Sequence, residues 1–463
     1  MKTVPRHWLS QLETSDQPAY VLIADLIAED VRSGRLTARD RLPPLRQLAD
    51  ELNLNYTTVA RGYGEARKRG LIDAHAGMGS FVRGSAPALP LRGGGGAEMS
   101  MNMPPEPDDP ALQARLRASV TQLFAQTDWH DLLRYQDFGG TFHEREVAAT
   151  WLRPHVPDCR AEQVLVAPGI HSVLAALMSE LVSPGGVVCV ESLAYPGMKA
   201  MAVQFGVRLH GIPVDEDGLI VDAFEDVCKT LQPQALYCNP TLLNPTTATM
   251  PRARREALAD VALRYSVPLI EDDAYGMLPR SVPASLATLA PEITYYVSGF
   301  SKCFGAGLRT AYVRAPSARQ AQRLAGALRA STVMASPITS AMATRLVLDG
   351  TAEAMRVGIQ QESMVRQAMV ERHLGHHAYQ AQPEGFHFWL PLPKGSNVAE
   401  FAAYLRTNGV GVVGSAAFST DSNPPDAVRV CLGGPLDRNQ CEQALRLIAH
   451  TLEHPTRTHG LAL

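Results

Sequence analysis

A chain of 463 residues is too long for one ordinary hydrophobic core, so two domains or more are expected. Its formal net charge of −3 excludes a polybasic coat, and any contact with nucleic acid has to come from a local patch. Seven scattered cysteines lack the close pairs of metal or redox motifs, so they read as reduced thiols with no metal site; the polar N-terminus, free of long apolar runs, points to the cytoplasm rather than to export or a membrane.

The first expected element is a helix over Ala19 to Val31. Tyr20, Ile23, Ala24, Ile27 and Val31 recur at helical spacing there, Asp25, Glu29 and Asp30 fall on the other side, and Gly34 stops it. Pro43 and Pro44 then open a short helix ending near Leu52, Asn53 and Asn55 supply a turn, and a third helix runs from about Thr57 to Arg69. Two short helices joined by a tight turn, the second opening on small polar groups, suit the major groove of double-stranded DNA. Beyond Gly70, two short apolar runs flank His75 to Gly79, a hairpin that reads as a wing. Met1 to Ser85 holds 12 Lys and Arg against 10 Asp and Glu, a weak charge signal, so the residue pattern carries the argument. That pattern resembles the winged helix-turn-helix of the GntR family, with Leu42 to Ala49, Thr58-Val59 and Gly77 to Val82 in its signature positions. The resemblance implies DNA contacts from Arg46, Asn55, Tyr56, Thr57, Thr58, Arg61, His75 and Gly77; at position 56 tyrosine stands where the family often has arginine.

Domain boundaries follow from composition. Residues 1–85 form the DNA-binding head, and 86–109, with Gly93 to Gly96 in a row and prolines at 104, 105 and 107, form a flexible linker whose Asn102-Met103-Pro104-Pro105 is open to docking on the second domain. Residues 110–463 form that second domain, the body, with a C-terminal subdomain from about 330. The body alternates helices with short apolar strands, the α/β pattern of a mainly parallel sheet covered on both faces. Val164 to Ala167 leads through Gly169, Ile170 and His171 into a helix whose free N–H groups suit a phosphate; Val187 to Glu191 delivers Tyr195 to a loop. Ala235 to Tyr237 leads to Asn244, and Val267 to Glu271 ends in Asp272 and Tyr275.

Val297 to Arg309 then places Lys302 among small residues. A desolvated lysine near another cation loses its proton and forms a Schiff base with an aldehyde, while Arg309 suits a phosphate. An aldehyde that carries a phosphate, with an acid for its ring nitrogen, is pyridoxal 5′-phosphate. The ordered set from Tyr135 through Gly169, Tyr195, Asn244-Pro245-Thr246, Asp272 to Tyr275, Ser301-Lys302, Arg309 and Arg429 resembles the fold type I, aspartate-aminotransferase-like enzymes that use it. The resemblance implies Lys302 as the internal aldimine, Asp272 against the pyridine nitrogen, Asn244 and Tyr275 on the phenolate, and Tyr195 stacked on the ring. It also implies a phosphate held by Gly169, Ile170, His171, Ser301, Arg309 and a neighbouring subunit's Tyr135, and an amino-acid carboxylate gripped by Arg429. Two departures stand out: Thr247 replaces the usual glycine of Asn-Pro-Thr-Gly, and Gly299 replaces a hydroxyl three before the lysine, with Ser298 one place earlier.

Head and body together resemble the MocR subfamily of GntR regulators. That implies a homodimer sensing the cofactor, or its external aldimine with an amine or amino-acid effector, and altering how its heads engage DNA. An amino-acid transaminase with an accessory head is the alternative, and a constitutive DNA-binding protein with an inactive body a third.

Overall fold

The computed structural model describes residues 8, 9, 11, 12, 15, 17–32, 35, 36, 40–69, 71–75, 79–82 and 97–454. Gly77 of the wing and Gly93 to Gly96 of the linker lie outside the described residues, as does the side chain of His75. The chain divides into two units, Met1–Gly94 and Gly95–Leu463.

In the first unit, helices α1 (Ala19–Arg32), α2 (Leu45–Leu52) and α3 (Tyr56–Lys68) precede an antiparallel hairpin of β1 (Ile72–His75) and β2 (Gly79–Val82). Asn53 ends α2 with a left-handed φ of 53°, which its short polar side chain tolerates. Asn55 caps α3 by accepting from the Thr57 N–H at 2.9 Å, so the helix starts at Tyr56, one residue earlier than expected. Ile23, Ile27, Leu48, Leu52, Val59, Ile72 and Val82 bury together as one small core. α1 and α3 approach closely at Gly62, where a Cβ would lie 2.9 Å from the Ile23 side chain. Asp30 departs from its expected place on the polar side: it is fully buried, accepting from Trp8 Nε1 at 2.8 Å and Arg35 Nε at 2.6 Å. Periodicity within one helix carries no sign of partners that come from beyond it.

The second unit opens with β3 (Ala97–Glu98) and contains a seven-stranded sheet. Its strands are β4 (Val164–Ala167), β5 (Val187–Glu191), β6 (Arg208–Ile212), β7 (Ala235–Cys238), β8 (Leu269–Asp272), β9 (Thr294–Gly299) and β10 (Ala311–Arg314), in the order β4-β10-β9-β8-β7-β5-β6. Only β10 runs antiparallel to its neighbours. Alternate residues feed two cores: Leu165, Val188, Tyr237, Ile270 and Val297 pack with Val173 and Leu324 on one face, and Val166, Leu236, Leu269 and Tyr296 enter clusters with Leu152 and Leu258 on the other. The covering helices include α4 (Phe142–Leu152), α5 (Ile170–Leu181), α6 (Arg252–Tyr265) and α7 (Ala318–Thr332).

A long helix, α8 (Thr351–Leu374), leads to a smaller antiparallel sheet of β11 (Gln380–Ala381), β12 (His387–Pro391), β14 (Val413–Gly414) and β15 (Ala427–Cys431), in the order β11-β12-β15-β14. Phe388, Leu390, Val428 and Val430 meet Leu445 and Ile448 of α9 (Arg438–Glu453) in its core. β13 (Val410–Gly411) pairs in parallel with β3, so the chain from Ala97 already belongs to the body, whereas the composition carried the linker on to Asp109. The reason is packing: Met99 is buried in the small-sheet core, its carbonyl accepts from the Cys431 N–H at 2.9 Å, and the Pro104 carbonyl accepts from Gly434 at 3.0 Å.

Candidate functional site

β9 runs straight into the turn of helix Phe300–Cys303, so Lys302 leaves the sheet edge where β8 ends in Asp272. Lys302 Nζ donates to the Asn102 carbonyl and lies 5.6 Å from the centroid of the Tyr275 ring. Burial, helped by the Arg429 guanidinium, lowers its pKa to about 8. Lys302 is half-buried by surface area, and Asp272 is buried. Its Oδ2 accepts from the Tyr237 hydroxyl at 2.8 Å, its Oδ1 has no hydrogen-bond partner, and burial raises its pKa to about 6.

Behind these groups lies a support that the sequence did not announce. Asn239 donates its N–H to Glu191 at 2.7 Å and its Nδ2 to the Asp272 carbonyl at 2.6 Å, while its Oδ1 accepts from the Asn244 N–H at 3.1 Å. One side chain thus fixes the asparagine loop to the end of β8. The available signal was Glu191, an acid at a strand end, and Asn239-Pro240 repeating the Asn244-Pro245 doublet. The Asn244–Pro245 peptide is cis, and Thr247 adopts φ 67°, a conformation that suits the glycine it replaces. Gly299 is favoured for a different reason: a Cβ there would press against the Thr310 carbonyl at 3.1 Å. Ser298 Oγ is buried without a partner.

Gly169, at φ 99°, precedes α5. A Cβ at that position would lie 2.5 Å from Arg309 Nη2, so glycine is what lets the guanidinium reach the helix start, and Ile170 and His171 begin that helix. The His171 and Tyr195 rings stand edge to face at 6.4 Å. Burial and then Asp272 raise the Tyr195 pKa while Arg309 opposes them, which places its hydroxyl within the field of both groups. Ser301 is half-buried beside Lys302. Tyr135 stands apart: it is 78% exposed, on a stretch where Trp129, Leu133, Phe138 and Phe142 are exposed too.

Arg429 of β15 faces the asparagine loop. Its Nη1 donates to Asn244 Oδ1 at 2.9 Å, its Nη2 donates to the Ser100 carbonyl, and its guanidinium lies 4.9 Å from the Phe418 ring centroid. His387 pairs with Cys431, two residues along the same sheet face, and its ring is 5.5 Å from Tyr275. Burial and then Arg429 depress its pKa to about 3, so it is neutral. Ser100 and Asn102 therefore touch both candidate cations, and Asn102 Nδ2 also donates to the Tyr275 hydroxyl at 2.7 Å.

In the head, Arg46, Tyr56 and Thr57 are exposed, and Thr58 is half-buried. Asn55 Oδ1 is engaged as the cap of α3, also accepting from the Thr57 hydroxyl at 2.9 Å, and the Arg61 guanidinium lies 4.2 Å over the Tyr20 ring. His75 lies opposite Gly79 in the hairpin.

Residues 105–448 match the family described as aminotransferase class I and II. The chain belongs to that family. Residues 19–82 match the gntR family of bacterial regulatory proteins, and the two in this order are the make-up of MocR-subfamily regulators. This aminotransferase-family member is thus a transcriptional regulator with an aminotransferase-like domain. It is similar to the uncharacterized HTH-type transcriptional regulator YdeF of Bacillus subtilis, 26% identical over 464 residues and 98% of each chain. It is also similar to the vitamin B6 salvage pathway transcriptional repressor PtsJ of Salmonella typhimurium, 26% identical over 412 residues, 89% of this chain and 93% of that one. An archaeal alanine:glyoxylate aminotransferase has the same fold, with a TM-score of 0.71 at 24% identity over 78% of this chain and 92% of that one. Among the described residues no helix is long and apolar enough to cross a membrane.

The family's cofactor is pyridoxal 5′-phosphate, and the residues present fit it. Asp272 Oδ1 is a buried acceptor without a partner, Lys302 is an amine with a depressed pKa, and Gly169 and Arg309 form a cradle that a Cβ would fill.

Proposed function

We propose that this regulator binds pyridoxal phosphate at Lys302, reads an amine or amino-acid effector at the same site, and passes the result to its DNA-binding head. One observation carries this reading: Ser100 and Asn102, a few residues beyond the glycine run, give their carbonyls to Arg429 and Lys302. A ligand carboxylate on Arg429, or a carbonyl on Lys302, competes with the segment just past the linker glycines. Occupancy of the site and the path of residues 97–105 are then coupled, which is what a sensor requires.

When bound, the cofactor supplies an electrophilic aldehyde and an electron sink. Lys302 contributes the free amine, and the Asp272 carboxylate holds a proton at the ring nitrogen. Asn244 and Tyr275 donate to the phenolate, and Tyr195 covers the ring. Gly169, Ile170, His171, Ser301 and Arg309 hold the phosphate, and Arg429 grips the effector carboxylate. Tyr135, exposed among apolar neighbours, suits a homodimer in which it reaches the other subunit's phosphate. In the head, Arg46, Tyr56, Thr57 and Thr58 meet DNA together with His75 and Gly77, while Asn55 and Arg61 serve mainly to set α3.

The second reading, a transaminase with an accessory head, draws on the same half-buried Lys302 and buried Asp272, since turnover needs both. Titrating the protein with a panel of amines and amino acids, with absorbance and operator binding followed together, separates the two. Sensing predicts that one ligand changes both readings without sustained keto-acid production. Steady turnover with operator affinity unchanged would overturn it. Reassociated mixtures of Lys302→Ala and Tyr135→Ala should regain one intact site per mixed dimer; no recovery in verified mixed dimers would rule out a shared site.

A further inference from the structure

The far ends of α8 and α9 carry a cluster that the cofactor site does not use. The two helices pack through Val370, Leu374, Leu445, Ile448 and Leu452 and end side by side. At or just past those ends stand His373, His376, His377, His450 and His454, five of the chain's 14 histidines, with Glu453 among them, while Glu442, in the first half of α9, lies 3.2 Å from His373. The ligand atoms of His376, His377 and Glu453 all lie within 4.8 Å of one another, and so do those of His450, Glu453 and His454. Glu453 belongs to both sets, so one carboxylate ties the histidines of one helix end to those of the other.

Local geometry suits a metal. His376 Nε2 is 3.2 Å from Glu453 Oε1, and the His376–His377 and His450–His454 ring centroids are 4.2 and 4.3 Å apart. His454 Nδ1 lies 3.0 Å from the His450 carbonyl; donating there fixes the tautomer and turns the Nε2 lone pair outward, the usual support of a metal-bound imidazole. His450 and His454 are one helical turn apart, on one side of the chain. Two helix C-termini meet at this point, and their dipoles both favour a cation. Imidazoles with one carboxylate select a first-row divalent transition ion over calcium or magnesium.

We infer that His376, His377 and Glu453 form a binding site for such an ion, zinc being the probe, which pins the end of α8 to the end of α9, with His450 and His454 grouped around the same carboxylate. The sequence expectation of no metal rested on cysteine spacing, and these ligands come from distant parts of the chain. The competing account is a solvated patch of His–Glu pairs.

Calorimetric titration with zinc chloride decides between them, using untagged full-length protein treated with chelator and freed of excess cofactor. The inference predicts saturable binding and a higher melting temperature with zinc. His377→Ala and Glu453→Gln should each weaken binding at least about tenfold. The near-isosteric Glu453→Gln keeps the test valid should His377→Ala fail to fold, which its metal-free melting curve reports. Absence of saturable binding by wild type, or wild-type affinity in Glu453→Gln, would overturn the site.

Discussion

In the head, Arg46, Tyr56 and Thr57 face solvent on helices held by a separate core, whereas in the body Asp272 and Arg429 are buried and a half-buried Lys302 stands beside them with its pKa lowered. The contrast comes from the ligand each region binds. A DNA backbone is a wide charged surface met by exposed donors at little desolvation cost, and a small reactive aldehyde needs an amine stripped of water and an acid held in place. Substitutions in the head should therefore act on affinity or folding without reaching the cofactor, and substitutions in the body should change chemistry first.

The sharpest break is Lys302→Ala. It should abolish covalent attachment, read as loss of bound-cofactor absorbance and of the pyridoxyl mass that borohydride reduction fixes at this residue, with little change in the melting temperature of cofactor-free protein. Normal attachment in the variant would remove Lys302 from the account. Gly62→Ala tests the other side: a Cβ 2.9 Å from Ile23 should destabilise the head by about 1–3 kcal/mol and leave the cofactor spectrum alone. A spectral change in that variant would mean that the cofactor site depends on the folding of the head and not only on its binding to DNA.

Arg46→Ala should weaken operator binding and flatten the dependence on log salt by about one unit, the loss of one phosphate contact. A gel-shift series at several salt concentrations that matches wild type would remove Arg46 from the interface. Within the body, the pH profile of attachment is the finer test. Because Lys302 sits at about 8 rather than the usual value near 10.5, its free-amine fraction rises as pH passes through 8. The attachment rate to cofactor-free protein should climb through that point; a rise centred near 10 would show an unperturbed lysine. The smallest effect is Thr247→Gly. Relief of the φ of 67° is offset by the entropy that glycine loses on folding and by the loss of a buried side chain, so the stability read in thermal melts should move by under about 1 kcal/mol, and a larger drop would contradict it.

The same contrast explains what the sequence disclosed. The head was legible because its signals are local: Pro43-Pro44, Asn53 and Asn55 specify turn, cap and helix start within a short stretch, and among its described residues the start of α3 and the burial of Asp30 differ. The sheet and the residues at its strand ends were legible because parallel strands place chemistry at their carboxyl edges. Asn239 and Tyr237 were missed, since each acts through Asp272 or its loop and leaves no periodic trace. Docking of Asn102 on the body was legible, but its contact with Lys302 and that of Ser100 with Arg429 were not: they use backbone carbonyls, which any residue carries, toward partners 200 and 329 positions away.

Amide hydrogen exchange of the peptide covering residues 97–105 tests the central claim most directly, measured with cofactor alone and with cofactor plus the effector that shifts operator affinity. The account predicts that protection in this segment changes with the effector in wild type and not in Arg429→Ala. Identical protection in both states of the wild type, while operator affinity shifts, would contradict it.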